Sequence, residues 1–190
     1  MISLPNLAYA RPAIAAFVAM GVLWGTFAAV LPDLKAMLAV DERQLGLLIF
    51  LTPIAAISAM LVAPRFGAVM GRGALPLSVM LMALAFALPG QASVVWMFPL
   101  AMACAGAATG LTDVLMTARV AAMETSRGLH LMNLTHAAYS FGYAGGAVLT
   151  GVLRGSGWGP GAVMGTMAAV GVACALLTLA RDGRIDGISN

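Results

Sequence analysis

The sequence has few charged residues, and this scarcity excludes a soluble globular domain. Of its 190 residues, 9% are Asp, Glu, Lys or Arg, and 62% are hydrophobic. Soluble domains carry about 25% charged residues. The charged side chains here are too few to cover a water-facing surface. We therefore expect the chain to fold in a lipid bilayer, which is its first predicted partner.

The signatures of covalent chemistry and of metal or cofactor binding are also absent. Cys104 and Cys174 are the only cysteines, and both lie in apolar runs. We expect them to be small core residues and not a disulfide or a metal site. The sequence has no metal-ligand spacing, glycine-rich phosphate loop or nucleophile elbow. No cofactor, metal or enzymatic activity is therefore expected. The net charge of +3 comes from single arginines at span ends, so no nucleic acid partner is expected.

Six apolar segments are predicted to cross the bilayer as helices, since a crossing needs about 20 apolar residues. They lie at about 12–32, 44–64, 74–90, 95–118, 131–153 and 160–180. The predicted loops between them are 33–43, 65–72, 89–91, 119–127 and 154–160. Six spans use about 120 residues, which leaves only short loops and tails. Residues 1–190 are therefore predicted to form one all-α transmembrane domain.

The distribution of basic residues predicts the orientation. An even number of spans places both termini on one side. Seven of the ten basic residues fall there: Arg11, Arg65, Arg72, Arg119, Arg127, Arg181 and Arg184. Three fall on the other side: Lys35, Arg43 and Arg154. Because cytoplasmic loops are enriched in Lys and Arg, we expect both termini in the cytoplasm and a multi-pass protein of the inner (plasma) membrane.

Glycines recur at four-residue spacing, which lets helix backbones approach closely in membranes. The sets are Gly21/Gly25, Gly106/Gly110, Gly142/Gly146 and Gly157/Gly161/Gly165. Those in the first and fourth spans also suggest a three-plus-three internal repeat.

Polar side chains cluster on one face of each of two neighbouring spans. Thr109, Asp113 and Thr117 are spaced by four, so they share one face of the fourth span. On the fifth span, a second group of polar residues lies along a single arc of the helix. Its members are Asn133, His136, Ser140 and Tyr143, with Tyr139 at the border. The nearby glycines Gly142, Gly145 and Gly146 fall on a different side, which is predicted to pack closely.

Asp113 is the most informative residue, because a carboxylate at the centre of a membrane helix costs about 2.5–3.5 kcal/mol. Asp113 and His136 each lie about five residues, or roughly 7.5 Å, from the cytoplasmic end of their spans. Antiparallel neighbours would present them at the same level, where the pair could hold and release a proton. Two other interpretations remain open. Asp113 contacts a substrate, or it only braces a neighbouring helix, with His136 as a packing residue.

Three further side chains have two interpretations each. Trp24 in the first span lines a cavity for a sugar or another ring-shaped solute, or it packs in the core. Arg119 and Glu124 are predicted at the cytoplasmic lip, where they form a charge pair or anchor the helix.

Two parts of the sequence resemble a known transporter family. One comprises 113–118 (DVLMTA), Glu124, 132–136 (MNLTH) and 140–142 (SFG), and the other comprises 31–35 (LPDLK) and 44–46 (QLG). They resemble the fucose-permease-like branch of the major facilitator superfamily over about residues 12–180. The resemblance implies the amino-terminal six-helix half of a twelve-helix fold. It also implies that Asp113 recognises substrate or couples protons, and that Arg65 and Arg72 belong to a cytoplasmic gate or anchor.

The resemblance extends to one half of the fold only, and in this superfamily the cavity lies between two halves. The first hypothesis is a half-size transporter of a small solute, proton-coupled and paired with a second copy or another six-helix half. The alternative is a non-transporting membrane protein, either the remnant of a split gene or an accessory subunit of a full transporter. A membrane enzyme is disfavoured, because no second convergent acid or nucleophile is present.

Overall fold

The structure is a computed structural model that describes residues 4–180, 183 and 185, with side chains from residue 8 onward. Helices make up 87% of the described residues, which include no strand, so the predicted all-α class is confirmed. The helices are α1 (Leu4–Leu38), α2 (Glu42–Ile49), α3 (Leu51–Met70), α4 (Ala74–Ala87), α5 (Met97–Arg127), α6 (Met132–Gly155) and α7 (Pro160–Leu177). Two short 3₁₀ turns cover Gly71–Gly73 and Pro89–Gln91.

Four helical stretches of the described chain are long and apolar enough to cross a membrane. They are Ala8–Leu38, Glu42–Gln91, Met97–Arg127 and Pro160–Leu177. The second of them contains α2, α3 and α4. Helix α6 has 24 residues but is not among the four, because its polar side chains lower its mean hydropathy. The lengths and composition of these stretches are those of a membrane protein. By length and hydropathy, four helical stretches can cross a membrane, whereas six crossings were predicted from the sequence.

The helices extend further than the apolar segments. The predicted loops at 33–43, 65–72 and 119–127 are wrong over much of their length, because α1, α3 and α5 continue into them. Each of these helices is followed by a residue with positive φ: Ala39 (52°), Gly71 (54°) and Gly128 (62°). A residue with positive φ commonly follows the end of a helix. Charged side chains are compatible with a helix. The end of each helix is therefore set by the backbone conformation and not by the first charged residue after the apolar segment.

Two glycine pairs hold α1 and α6 together at backbone distance. A Cβ atom on Gly21 or Gly25 would overlap a carbonyl oxygen of α6, and one on Gly142 or Gly146 would come within 2.7 Å or less of a carbonyl oxygen of α1. The contact is therefore reciprocal, as expected for small residues at four-residue spacing. This confirms close packing for both pairs.

A third glycine pair joins α5 to α3 in the same way. Gly106 and Gly110 lie directly against carbonyl oxygens of α3, which confirms the prediction for this pair. Gly161 approaches the backbone of the Pro89–Gln91 turn. The prediction is wrong for Gly145, Gly157 and Gly165, because a Cβ on any of them would meet no atom within 4 Å. Gly157 instead has a positive φ of 85° in the turn between α6 and α7.

Helix α1 lies at the centre of the bundle and contacts α4, α5, α6 and α7. Phe17, Phe86 and Phe98 are fully buried in this core. Large apolar side chains remain exposed on the outside, among them Leu61 (78%) and Phe141 (80%). Such a surface suits lipid better than water.

The prediction that both cysteines are core residues is wrong for Cys104, which is exposed, and holds only in part for Cys174, which is partly buried. An apolar run does not reveal which of its residues face outward. Both thiols are free.

Charged groups collect at the two ends of the bundle. At one end, the Arg154 guanidinium donates to both carboxylate oxygens of Asp33 and to the carbonyl oxygen of Ala29 (2.7 Å). Lys35 pairs with Glu42 at the same end. The pair between α6 and α1 ties the ends of two helices that the glycines already hold together.

At the opposite end, Arg11 donates to the carbonyl oxygen of Leu179 at 2.8 Å, and the Arg127 guanidinium lies 3.7 Å from the centre of the Tyr9 ring. Lys35 and Arg154 are thus separated from Arg11 and Arg127, as the orientation argument requires. Arg181 and Arg184, which entered that argument, lie outside the described residues. Which end faces the cytoplasm stays a prediction.

Candidate functional site

A cavity of about 330 Å³ lies between α5 and α6, with α1 along one wall. Its lining residues are Phe17, Met20, Trp24, Met60, Thr109, Asp113, Met116, His136 and Tyr139. Helices α5 and α6 barely touch, because each packs on another helix: α5 on α3 and α6 on α1. The expectation that α5 and α6 are direct neighbours is therefore wrong. The expectation that Asp113 and His136 lie at one level holds, since both line this cavity.

Asp113 is the ionisable acid of the cavity. It is partly buried, and it lies close enough to His136 to interact with it electrostatically. Neither of the ion pairs seen among the described side chains involves Asp113. A carboxylate without a cationic partner in apolar surroundings is costly, which makes this side chain the strongest candidate for a functional group.

His136 has a defined tautomer when its ring is neutral. Its Nδ1 lies 3.0 Å from the carbonyl oxygen of Met132, one turn earlier in α6. A carbonyl can only accept, so Nδ1 carries the hydrogen and Nε2 of the neutral ring can accept a proton. The ring also packs on Phe17 of α1, with the centroids 5.1 Å apart. These two contacts hold the imidazole at the cavity wall.

Thr109 adds a hydroxyl to the same wall as Asp113, one helical turn away. A threonine in a helix often donates to the carbonyl four residues earlier. The Oγ1 atom of Thr109 is buried and has no hydrogen-bond partner among the described residues. A buried hydroxyl without a partner costs about 1–3 kcal/mol, and four other threonine hydroxyls among the described residues are in the same state.

Aromatic rings form the other wall. Trp24 packs edge-to-face against Phe27 (centroids 5.7 Å apart) and Phe86 (5.1 Å). The ring is therefore fixed by the core and at the same time lines the cavity, so the two interpretations of Trp24 are compatible. Tyr139 lies beside Tyr143, with the ring centroids 6.2 Å apart.

Four of the predicted site residues do not line the cavity. Asn133, Ser140 and Tyr143 are exposed on α6, and Thr117 is partly buried on α5. The Ser140 hydroxyl donates to the carbonyl oxygen of His136 at 3.1 Å. The polar arc of α6 is thus an exposed surface, and only part of it borders the cavity.

Four lining residues, all apolar, were not predicted from the sequence: Phe17, Met20, Met60 and Met116. In a chain with 14 methionines and seven phenylalanines, residue type alone gives no signal for them.

Glu124 has a different role from the charge pair or anchor that was predicted. Its Oε1 accepts from the backbone N–H groups of Leu131 and Met132 (2.8 Å for the latter), at the start of α6. A carboxylate at a helix N-terminus satisfies free N–H groups and the helix dipole. Glu124 thus fixes the first turn of α6. This turn contains Met132, whose carbonyl oxygen accepts the hydrogen bond from the His136 ring.

Arg119 lies inside the bundle, 5% exposed, with its guanidinium 6.0 Å from the centre of the Tyr9 ring. It lies near the same ring as Arg127, toward the end of the bundle at which α5 ends. Its predicted place at the cytoplasmic lip stays a prediction. Arg65 and Arg72 are exposed. Their part in a gate or anchor stays a prediction.

Comparison of the chain with protein-family models, with curated proteins and with solved structures finds no match. The function is therefore inferred from the cavity and from the residues that line it.

Proposed function

We propose that the chain is a half-size secondary transporter of the major facilitator type, which moves a small solute across the inner membrane, is driven by protons and works as part of a pair. The observation that carries the proposal is Asp113, a carboxylate that takes part in neither ion pair seen among the described side chains and that lies beside His136 in a largely apolar cavity. Intramembrane ionisable groups typically mark solute or proton pathways.

The proton coupling uses two groups that face one cavity. The Asp113 carboxylate and Nε2 of neutral His136 can each accept a proton, and a charge on one changes the cost of charging the other. When solute enters, the local charge changes and the proton equilibrium changes with it. Thr109 and Tyr139 supply the hydroxyl groups that orient the solute, and Trp24 supplies an apolar surface.

The membrane arrangement that fits this function has six crossings and both termini in the cytoplasm. It requires the stretch Glu42–Gln91 to cross twice and α6 to cross despite its polar arc. Gly71, with its positive φ, marks the end of α3 and thus the reversal.

Cysteines placed at Ser156 and Gly73, one at a time, test this arrangement. Both positions are exposed, and the background carries Cys104→Ala and Cys174→Ala. We expect a membrane-impermeant maleimide to label Ser156→Cys from outside intact cells and to label Gly73→Cys only after the membrane is opened. Labelling of Gly73→Cys and not Ser156→Cys from outside would overturn the orientation.

Pairing follows from the exposed polar arc of α6. Asn133, Ser140 and Tyr143 have exposed side chains, of which the Ser140 hydroxyl already donates to the carbonyl oxygen of His136. Polar groups that face lipid without partners cost several kcal/mol each. A second six-helix unit across the cavity would supply polar partners or enclosed water. We therefore propose a homodimer, or a complex with another half, along α1, α5 and α6.

Cross-linking tests the pairing. In the cysteine-free background, Ser140→Cys on α6 is expected to trap a dimer with a short bifunctional maleimide in native membranes. Leu176→Cys on α7 is the matched control, because it is also exposed (58%) but lies away from the proposed interface. Equal cross-linking of the two variants, or of neither, would contradict this interface.

A further inference from the structure

We infer that the solute of this cavity is an organic cation with an apolar body, and not a sugar. This inference rests on the proposed function and narrows it from a small solute to one chemical class.

The charge of the cavity is the first argument. Three lining residues have ionisable side chains, Asp113, His136 and Tyr139. Ionised Asp113 is negative, Tyr139 is neutral while its hydroxyl keeps its proton, and His136 adds a positive charge only when it takes up a second ring proton. Among the described residues of this chain, no lysine or arginine lines the cavity, and neither ion pair includes Asp113. A ligand that carries one positive charge would supply the missing counter-ion in surroundings where a pair is only weakly screened.

The apolar lining is the second argument. Phe17, Trp24 and Tyr139 present aromatic rings, and aromatic rings attract cations through their negative faces. The remaining apolar positions are all methionines: Met20, Met60 and Met116. Methionine is flexible and polarisable, so it adapts to apolar ligands of irregular shape.

The polar lining argues against a sugar. A sugar carries a hydroxyl on most of its carbons, and each hydroxyl that loses water without a new partner costs about 1–3 kcal/mol. Of the nine lining residues that this chain supplies, five have a polar side-chain group: Trp24, Thr109, Asp113, His136 and Tyr139. A single charge on an apolar body needs fewer partners. The volume of about 330 Å³ accommodates a molecule with one aromatic ring.

A fluorescence titration tests the inference. Trp96 and Trp158 are exposed and lie outside this cavity, so Trp96→Phe with Trp158→Phe leaves Trp24 as the only tryptophan. The protein in lipid nanodiscs is titrated with benzyltrimethylammonium, with neutral N,N-dimethylbenzamide and with methyl glucoside. We expect saturable quenching by the cation, and affinities at least about tenfold weaker for the two neutral probes.

Two charge variants provide the matched comparison. Asp113→Asn is expected to weaken cation binding at least about tenfold, and Asp113→Glu to restore part of it. Glu42→Gln removes a carboxylate that is 83% exposed and outside the cavity, and it should leave binding unchanged. The comparison of cation with neutral probe on the unsubstituted cavity does not depend on how well any variant folds.

The outcomes separate this inference from the proposed function. Saturable binding of the sugar without the cation, equal binding of cation and amide, or no saturable binding of any probe would overturn the cation class. The transporter proposal is judged apart from it, by cross-linking and by transport. Cation binding that depends on Asp113, in a protein that moves no solute, would sustain the cation class and contradict the transporter.

Discussion

Replacement of Asp113 by Asn is expected to reduce proton-driven transport in proteoliposomes to background. The substitution keeps the size and the hydrogen-bonding capacity of the side chain but removes its charge and its ability to take up a proton. The measurement is solute uptake or efflux after an imposed pH gradient.

The matched control for this prediction is Glu42→Gln, which also removes one carboxylate. Glu42 pairs with Lys35 at the surface, so its loss should leave transport near the wild-type rate. If Asp113→Asn retains the full rate under a proton gradient, the coupling role is wrong. Asp113 would then only brace the bundle.

Gly25→Ala is expected to destabilise the protein strongly, whereas the same change at Gly145 is not. A Cβ on Gly25 would overlap the carbonyl oxygen of Tyr143, so α1 and α6 would have to separate. Overpacking of this kind costs about 1–3 kcal/mol, and more where only backbone can move. At Gly145 a Cβ meets nothing within 4 Å. There the higher helix propensity of alanine should add up to about 1 kcal/mol.

Thermal unfolding of the two variants in the same detergent measures this difference. The melting temperature should fall for Gly25→Ala and stay level or rise for Gly145→Ala. Equal melting temperatures would mean that α1 and α6 do not approach at backbone distance.

The helix packing was predictable where a periodic pattern reports it directly. Gly21/Gly25, Gly106/Gly110 and Gly142/Gly146 repeat at the spacing of one helix face, and all three pairs lie at helix contacts. The helix ends were not predictable from charge, because they depend on left-handed residues such as Ala39, which no composition rule singles out. The exposure of Cys104 also depends on the rotation of α5, which an apolar run does not define.

The polar half of the cavity was predictable and its apolar half was not. Asp113, Thr109 and His136 stand out in the sequence because polar side chains are rare in the apolar segments. A polar residue there therefore indicates a candidate site. Met20 and Met116 are two of 14 methionines, so their place at the cavity depends on which faces of α1 and α5 oppose each other. The gap between α5 and α6 could not be predicted from the sequence either, because it arises from the packing of α5 on α3 and of α6 on α1.

Subunit counting in lipid bilayers tests the pairing on which the proposed function depends. The protein carries one fluorophore per chain and is reconstituted at the density found in native membranes, and photobleaching steps are counted for each particle. The proposal predicts two steps, or one step in a particle that also contains a second six-helix chain recovered by pull-down. A stable monomer with no partner recovered would mean that this chain, as it stands, is not a working transporter.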